Sequence, residues 1–63
     1  MTEKVLNGIK KYQPTNPTHI HFMLNVFEGV EVSLVEVRKS FEELYQQGKI
    51  TQDKTNAINY KII

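Results

Sequence analysis

Apolar residues recur every three or four positions at the start of the chain, which is the spacing of one face of an α-helix. That face holds Val5, Leu6, Ile9 and Tyr12. Lysine, glutamate and asparagine occupy the opposite side, so the helix is amphipathic. Thr2 is a suitable N-cap because its hydroxyl can accept a hydrogen bond from a free backbone N–H. The pattern predicts a first helix over residues 2–12.

A second helix is predicted over residues 17–28. Asn16 and Pro17 supply an N-cap and a first helical position, where the missing proline N–H costs nothing. Gly29 follows at the position of a C-terminal glycine cap. The main apolar stripe of this helix consists of Ile20, Met23, Leu24 and Phe27.

Two further apolar residues of the second helix, Phe22 and Val26, lie off that stripe. A helix that is apolar over so much of its circumference is expected to be buried on more than one side. In a monomer, Phe22 and Val26 are predicted to pack under the first helix or the sheet. The alternative is that they form an interface with a second subunit or another protein.

The third helix is the most clearly specified element. Val30-Glu31-Val32 alternates and predicts a possible short strand over residues 30–32. Ser33 and Glu36 then form the Ser-x-x-Glu capping box. The helix is predicted over residues 33–47 and should end before Gly48. Its buried face is predicted to hold Leu34, Val37, Phe41, Leu44 and Tyr45.

The remaining residues predict a β-hairpin over 49–62. A first strand begins at Ile50, and the run Asp53-Lys54-Thr55-Asn56 has turn chemistry. Ile58, Tyr60 and Ile62 then alternate with polar residues, as in a strand with one buried face. The predicted fold is therefore a single α+β domain over residues 1–63, a three-helix bundle with a C-terminal β-hairpin.

Composition narrows the possible functions. The chain has 63 residues and no cysteine, which excludes disulfides and thiolate metal sites. The formal net charge is only +1, with basic ends and a slightly acidic middle. No apolar run approaches the roughly 20 residues of a membrane span, and the start of the chain lacks the apolar region of a secretory signal. We therefore expect a cytoplasmic protein with no membrane partner.

The order of elements, and the run from Val32 to Ile50 in particular, resembles the winged helix-turn-helix superfamily. Leu44, Gly48 and Ile50 match the positions where the last helix of that fold ends and the first wing strand begins. No motif selects one family within it, although so small a chain is similar to regulators carried by phages and plasmids. The resemblance implies a DNA-binding, regulatory protein.

The resemblance also implies a set of DNA-contacting residues. On the third helix these are Val35, Glu36, Arg38, Lys39, Glu42 and Gln46. On the hairpin wing they are Lys49, Lys54, Thr55 and Asn56. The first helix adds Lys10 and Lys11 as backbone contacts.

One feature departs from the pattern of a DNA-reading helix. Residues 33–47 carry three glutamates against Arg38 and Lys39, a net charge of −1. The acids could simply pair with these two cations on the helix surface. A dimer would double the contacts to DNA. The alternative function is a protein–protein interaction module or inhibitor on the same fold, using the apolar surface of helix 17–28 or the acidic third helix.

The sequence does not indicate metal binding or catalysis. His19 and His21 are two apart, so on a helix they point in different directions and cannot chelate one ion together. There is no nucleophile–base grouping and no phosphate-cradling glycine loop. We expect no enzyme activity, no small-molecule substrate, no cofactor and no metal. Tyr12, Tyr45 and Tyr60 are spread over three predicted elements rather than clustered, which disfavours a base-stacking platform, and we expect them at the edge of the core.

Overall fold

The structure, a computed structural model, describes residues 2–63. The elements in chain order are α1 (Thr2–Tyr12), α2 (Pro17–Val26), α3 (Leu34–Gln46), β1 (Ile50–Gln52) and β2 (Tyr60–Ile62). The predicted α+β fold of three helices followed by an antiparallel hairpin is confirmed, and it is consistent with a winged-helix layout.

Side-chain caps fix where α2 and α3 begin. The Asn16 carboxamide oxygen accepts from the His19 N–H at 2.9 Å. The Ser33 hydroxyl accepts from the Glu36 N–H at 3.2 Å and donates to the Glu36 carboxylate at 3.1 Å. The predicted cap is therefore present, although this carboxylate accepts from the serine hydroxyl instead of reaching a backbone N–H.

Glycines in the left-handed conformation follow α2 and α3. Gly29 has φ of +66° and Gly48 has φ of +75°, a region that side chains with a Cβ rarely adopt. α2 ends at Val26, two residues before the predicted end. The reason is that the Glu28 N–H donates to the Met23 carbonyl, five residues back, which no longer follows the α-helical pattern.

The predicted strand over residues 30–32 is wrong. The third strand-like contact of the sheet comes from Thr15, which forms an antiparallel bridge with Tyr60. The Thr15 N–H donates to the Tyr60 carbonyl at 3.0 Å. Residue 32 makes a different contact, because the Val32 carbonyl accepts from the Asn25 carboxamide at 3.1 Å. Thr15 thus occupies the edge of β2, next to the prolines that end the first helix.

The core lies between the three helices and β1. Its buried apolar residues are Val5, Ile9, Ile20, Leu24, Val32, Val37, Phe41, Leu44 and Ile50. Gly8 is also buried, and a Cβ at this position would lie 3.3 Å from Ile20 Cδ1. A glycine in the middle of α1 therefore allows α1 to approach the side chains of α2 closely.

The hairpin is shorter than predicted. β1 and β2 pair with Ile50 opposite Ile62 and Gln52 opposite Tyr60. Ile58 was predicted to lie in the second strand with a buried side chain, and this is wrong, since it lies before β2 and is 70% exposed. Its N–H is held in a turn by the Asn56 carboxamide oxygen at 3.1 Å, so it cannot join the strand ladder. None of the helices within residues 2–63 is long and apolar enough to cross a bilayer.

Candidate nucleic-acid interface

The outward face of α3 is uncovered along its whole length. All six residues predicted on this face are exposed: Val35, Glu36, Arg38, Lys39, Glu42 and Gln46. The opposite face is buried through Val37, Ser40, Phe41 and Leu44. Val35, which is 74% exposed, lies in the first turn of the open face, and Lys39 lies one turn further on.

Two acidic residues beside this face, Glu36 and Glu43, form hydrogen bonds to groups outside α3. The Glu36 carboxylate accepts from Ser33, and the Glu43 carboxylate accepts from the Thr2 hydroxyl at 3.1 Å. Within residues 2–63 the structure shows no ion pair that involves Arg38 or Lys39. The predicted alternative, that the acids of α3 pair with its cations, therefore has no support in the geometry.

The wing presents its polar residues on an exposed loop. Lys54, Thr55 and Asn56 all lie in the loop over residues 53–59 and are exposed. The loop is closed by a hydrogen bond from the Asp53 N–H to the Asn59 carbonyl at 2.8 Å. The Asn56 side chain already forms one hydrogen bond within the loop, since its carboxamide oxygen accepts from the Ile58 N–H. Lys54 and Thr55 are the side chains best placed at the tip for an anionic partner.

Aromatic contacts hold the wing against α3. The Tyr60 ring packs edge to face on Phe41 and on Tyr45, with centroid distances of 5.4 and 6.0 Å. The three tyrosines lie on three elements as predicted, but Tyr45 and Tyr60 contact each other across two of them. Because both aromatic residues of α3 contact Tyr60 of β2, the wing is packed against the side of α3 that adjoins its open face.

Tyr45 lies at the edge of the core and adds a half-exposed ring beside the open face of α3. Its position on the apolar face of the third helix predicts a place at the core edge, and its side chain is 49% exposed. It follows Arg38 by seven residues, so both lie on the same side of α3. That spacing was visible in the sequence, yet it could not show whether β2 would cover the ring completely or only partly.

The two lysines predicted from α1 lie in different places. Lys11 pairs with Glu28 at 3.0 Å, and Tyr12 donates to the same carboxylate oxygen at 3.0 Å. The hydrogen bond from Lys11 lowers the pKa of Glu28, and the same bond raises the pKa of Lys11. Lys10 instead lines a shallow groove together with Lys49. Lys10 is therefore grouped with the base of the wing, whereas Lys11 is engaged by the loop after α2.

The outer side of α2 is apolar and exposed. Phe22 is 53% exposed and Val26 is 58% exposed, so the prediction that they pack under α1 or the sheet is wrong. Phe27, predicted on the main apolar stripe, is 65% exposed, although its backbone at the C-cap is still helical. The Phe22 and Phe27 rings pack edge to face with their centroids 6.3 Å apart. We call Phe22, Val26 and Phe27 the α2 patch.

The histidines are placed near the start of α2. His19 Nδ1 lies 2.6 Å from the Thr15 hydroxyl, and its ring meets the Tyr12 ring edge to face at a centroid distance of 6.0 Å. Among residues 2–63, no three histidine, aspartate or glutamate side chains come together in a way that could hold a metal ion. His19 is thus a local support of the turn that bridges α1 and α2.

Comparison with protein-family models, with curated proteins and with solved structures found no match. The likeness to a winged-helix layout therefore rests on the order of the elements alone. Function has to be inferred from the surfaces of this chain itself, namely the face formed by α3 and the wing and the α2 patch.

Proposed function

We propose that this protein binds duplex DNA as a small regulator, with the outward face of α3 in the major groove and the wing on the adjacent backbone. The observation that carries the proposal is that α3 is fully open on one side and is joined to a cation-bearing hairpin through Tyr45 and Tyr60. An α-helix fits the major groove of B-DNA when no other element covers its outer face. The proposal includes the cytoplasmic location expected from the sequence, and it needs no cofactor or substrate.

The charges on this surface favour modest affinity. Arg38, Lys39, Lys49 and Lys54 are exposed, and within residues 2–63 none of them forms an ion pair. Each phosphate neutralised by such a side chain releases counterions and contributes about −0.9 to the slope of log affinity against log salt. The acids on α3 and Asp53 offset part of this gain. We therefore expect salt-sensitive binding in the range of non-specific complexes, with dissociation constants on the order of 10 to 100 µM near physiological salt.

The side chains on the open face suit direct contacts with base edges. Arg38 and Lys39 can donate to guanine, and Gln46 can bond adenine. Glu42 can accept from the cytosine amino group, and Val35 can contact a thymine methyl. A mixed site containing G·C and A·T pairs fits this set better than a uniform tract does.

Charge reversal of Lys39 tests the proposal with a matched control. Lys39→Glu and Lys4→Glu change the net charge equally, but Lys4 lies on α1 beside the groove between α1 and α2. We expect Lys39→Glu and Lys54→Glu to weaken binding of a labelled duplex and to reduce the salt slope by about 1 each. Lys4→Glu should bind as the parent does. Fluorescence anisotropy at several salt concentrations measures both quantities.

If all three variants bind the duplex equally well, the open face of α3 is not the DNA surface. These variants are Lys39→Glu, Lys54→Glu and Lys4→Glu. Circular dichroism of each variant is the control for folding. Because Lys39 and Lys54 are both exposed, their replacement should leave the helical signal unchanged.

A second candidate function is a protein-interaction module that uses the α2 patch. The observation in its favour is that two phenylalanines and a valine are more than half exposed on one side of the molecule. A complex with another protein that survives moderate salt would support this function. Retention on DNA that is lost as salt rises would favour the first proposal.

A further inference from the structure

We infer that the α2 patch is a contact between two copies of this chain, weak in free solution and strengthened when both copies bind one duplex. The strengthening on DNA rests on the proposed function, whereas the contact itself does not. Phe22 and Phe27 already pack against each other, so their rings are partly ordered before any partner arrives. An apolar surface with ordered side chains loses less entropy on association than a mobile one.

The charges around the patch favour a second copy as the occupant. Residues 17–27 contain no lysine, arginine, aspartate or glutamate. In a two-fold contact each residue near the axis meets its own counterpart, so any charge there would face a like charge. Glu28, the next charged residue along the chain, is paired with Lys11 at 3.0 Å. The patch can therefore meet its own copy without repulsion.

The exposed area sets the expected strength. A phenylalanine side chain offers roughly 200 Å², so the exposed fractions of 53% and 65% leave on the order of 200 Å² on the two rings together. A stable interface buries about 800 Å² on each partner. The exposed area of the two rings is well below that size, so the contact should be weak, and we expect a dissociation constant on the order of 100 µM to 1 mM.

Two copies on one duplex would make such a weak contact effective. Each copy bound to DNA holds its neighbour at a high local concentration, so the second binding event becomes nearly intramolecular. A dimer would also double the number of cations that face the phosphates, which a chain with net charge +1 needs for useful affinity. Cooperative binding to a duplex long enough for two copies is the expected consequence.

Sedimentation equilibrium of the protein without DNA, from about 20 µM to 1 mM, tests the contact directly. The parent should shift from monomer toward dimer over this range. Phe22→Glu and Val26→Glu should each remain monomeric, because a glutamate near the axis would face its own copy. Ile63→Glu is the matched control, since Ile63 is 72% exposed outside the patch, and this variant should dimerise as the parent does.

A parent that remains monomeric at 1 mM would overturn the inference, and so would a dimer that persists in both patch variants or is lost in the Ile63→Glu control. Amide NMR spectra of the variants establish that each is folded. The result is separable from the proposed function. Dimerisation without any DNA binding would support the contact and contradict the proposed function. Non-cooperative DNA binding by a protein that stays monomeric would support the proposed function and contradict the contact.

Discussion

Asn16 connects the start of α2 to the wing, and its replacement should destabilise the domain by more than one route. Its carboxamide oxygen caps α2 by accepting from the His19 N–H at 2.9 Å. Its amide nitrogen donates to the Asn59 carboxamide oxygen, also at 2.9 Å. One side chain therefore holds together two segments that are far apart in the sequence.

The magnitude follows from these two bonds. Loss of an N-cap costs about 1 kcal/mol, and a side-chain hydrogen bond contributes about 1 kcal/mol. Asn16→Ala removes both and should lower the free energy of unfolding by about 2 kcal/mol. Asn16→Ser keeps a capping hydroxyl but is too short to reach Asn59, so it should cost about 1 kcal/mol. Asn59→Ala should cost about the same.

Urea unfolding followed by circular dichroism measures these differences, and thermal unfolding provides a second reading. In a domain of this size each kcal/mol lowers Tm by about 4–8 °C. The Asn16→Ser/Asn59→Ala double variant should be no less stable than either single variant, because both changes remove the same bond. Additive losses in the double variant, or equal losses for Asn16→Ala and Asn16→Ser, would refute the assignment of two separate roles to Asn16.

Three further predictions concern other contacts. Gly8→Ala should raise the free energy of unfolding, measured in urea, by about 0.5 kcal/mol. The gain in helix propensity exceeds the cost of moving the Ile20 Cδ1 methyl, which would lie 3.3 Å from the new Cβ. A lower free energy of unfolding would show that Ile20 cannot shift. Lys11 lowers the pKa of Glu28, so the stability from this pair should be present above the unfolded carboxyl pKa and lost as pH falls through the lower folded pKa. Glu28→Gln should remove that part of the acid dependence of Tm, and an unchanged profile would contradict it. Tyr45→Phe keeps the ring contact with Tyr60, so it should leave Tm unchanged. If the Tyr45 hydroxyl bonds a phosphate, this variant should bind DNA about fivefold more weakly. Unchanged affinity would exclude that bond.

The helices were the most predictable part of the fold because their start and stop signals are local. Ser33 and Gly48 act on residues within one turn, and the predicted third helix differs from α3 by no more than a residue at each end. The strand predicted at 30–32 failed because three alternating residues carry little information about a distant partner. The actual contact joins Thr15 to Tyr60, which are 45 positions apart.

Burial of α2 shows a second limit of sequence patterns. The period of its apolar residues gives the faces of the helix but not how many of those faces other elements will cover. In a chain of this length there are too few elements to cover both sides, so Phe22 and Val26 remain exposed. Phe27 is 65% exposed for the same reason, since no other element covers the end of α2 where it lies.

The candidate site was predictable in outline only. The exposed face of α3 follows directly from its buried stripe. The acceptor role of Glu43 toward Thr2 joins residues 41 positions apart, so no local pattern could show that this acid is directed away from the α3 cations. The contact of Tyr45 with Tyr60 depends on the same long-range packing.

Amide NMR spectra of the protein, titrated with a random-sequence duplex at low and then moderate salt, test the central claim most directly. Binding by the open face of α3 and the wing predicts shifts concentrated in residues 33–47 and 51–57 that fade as salt rises. Absence of shifts at low salt would contradict DNA binding altogether, because non-specific binding is strongest there. Shifts confined to the α2 patch would place the nucleic acid on the wrong surface and contradict the assignment of α3.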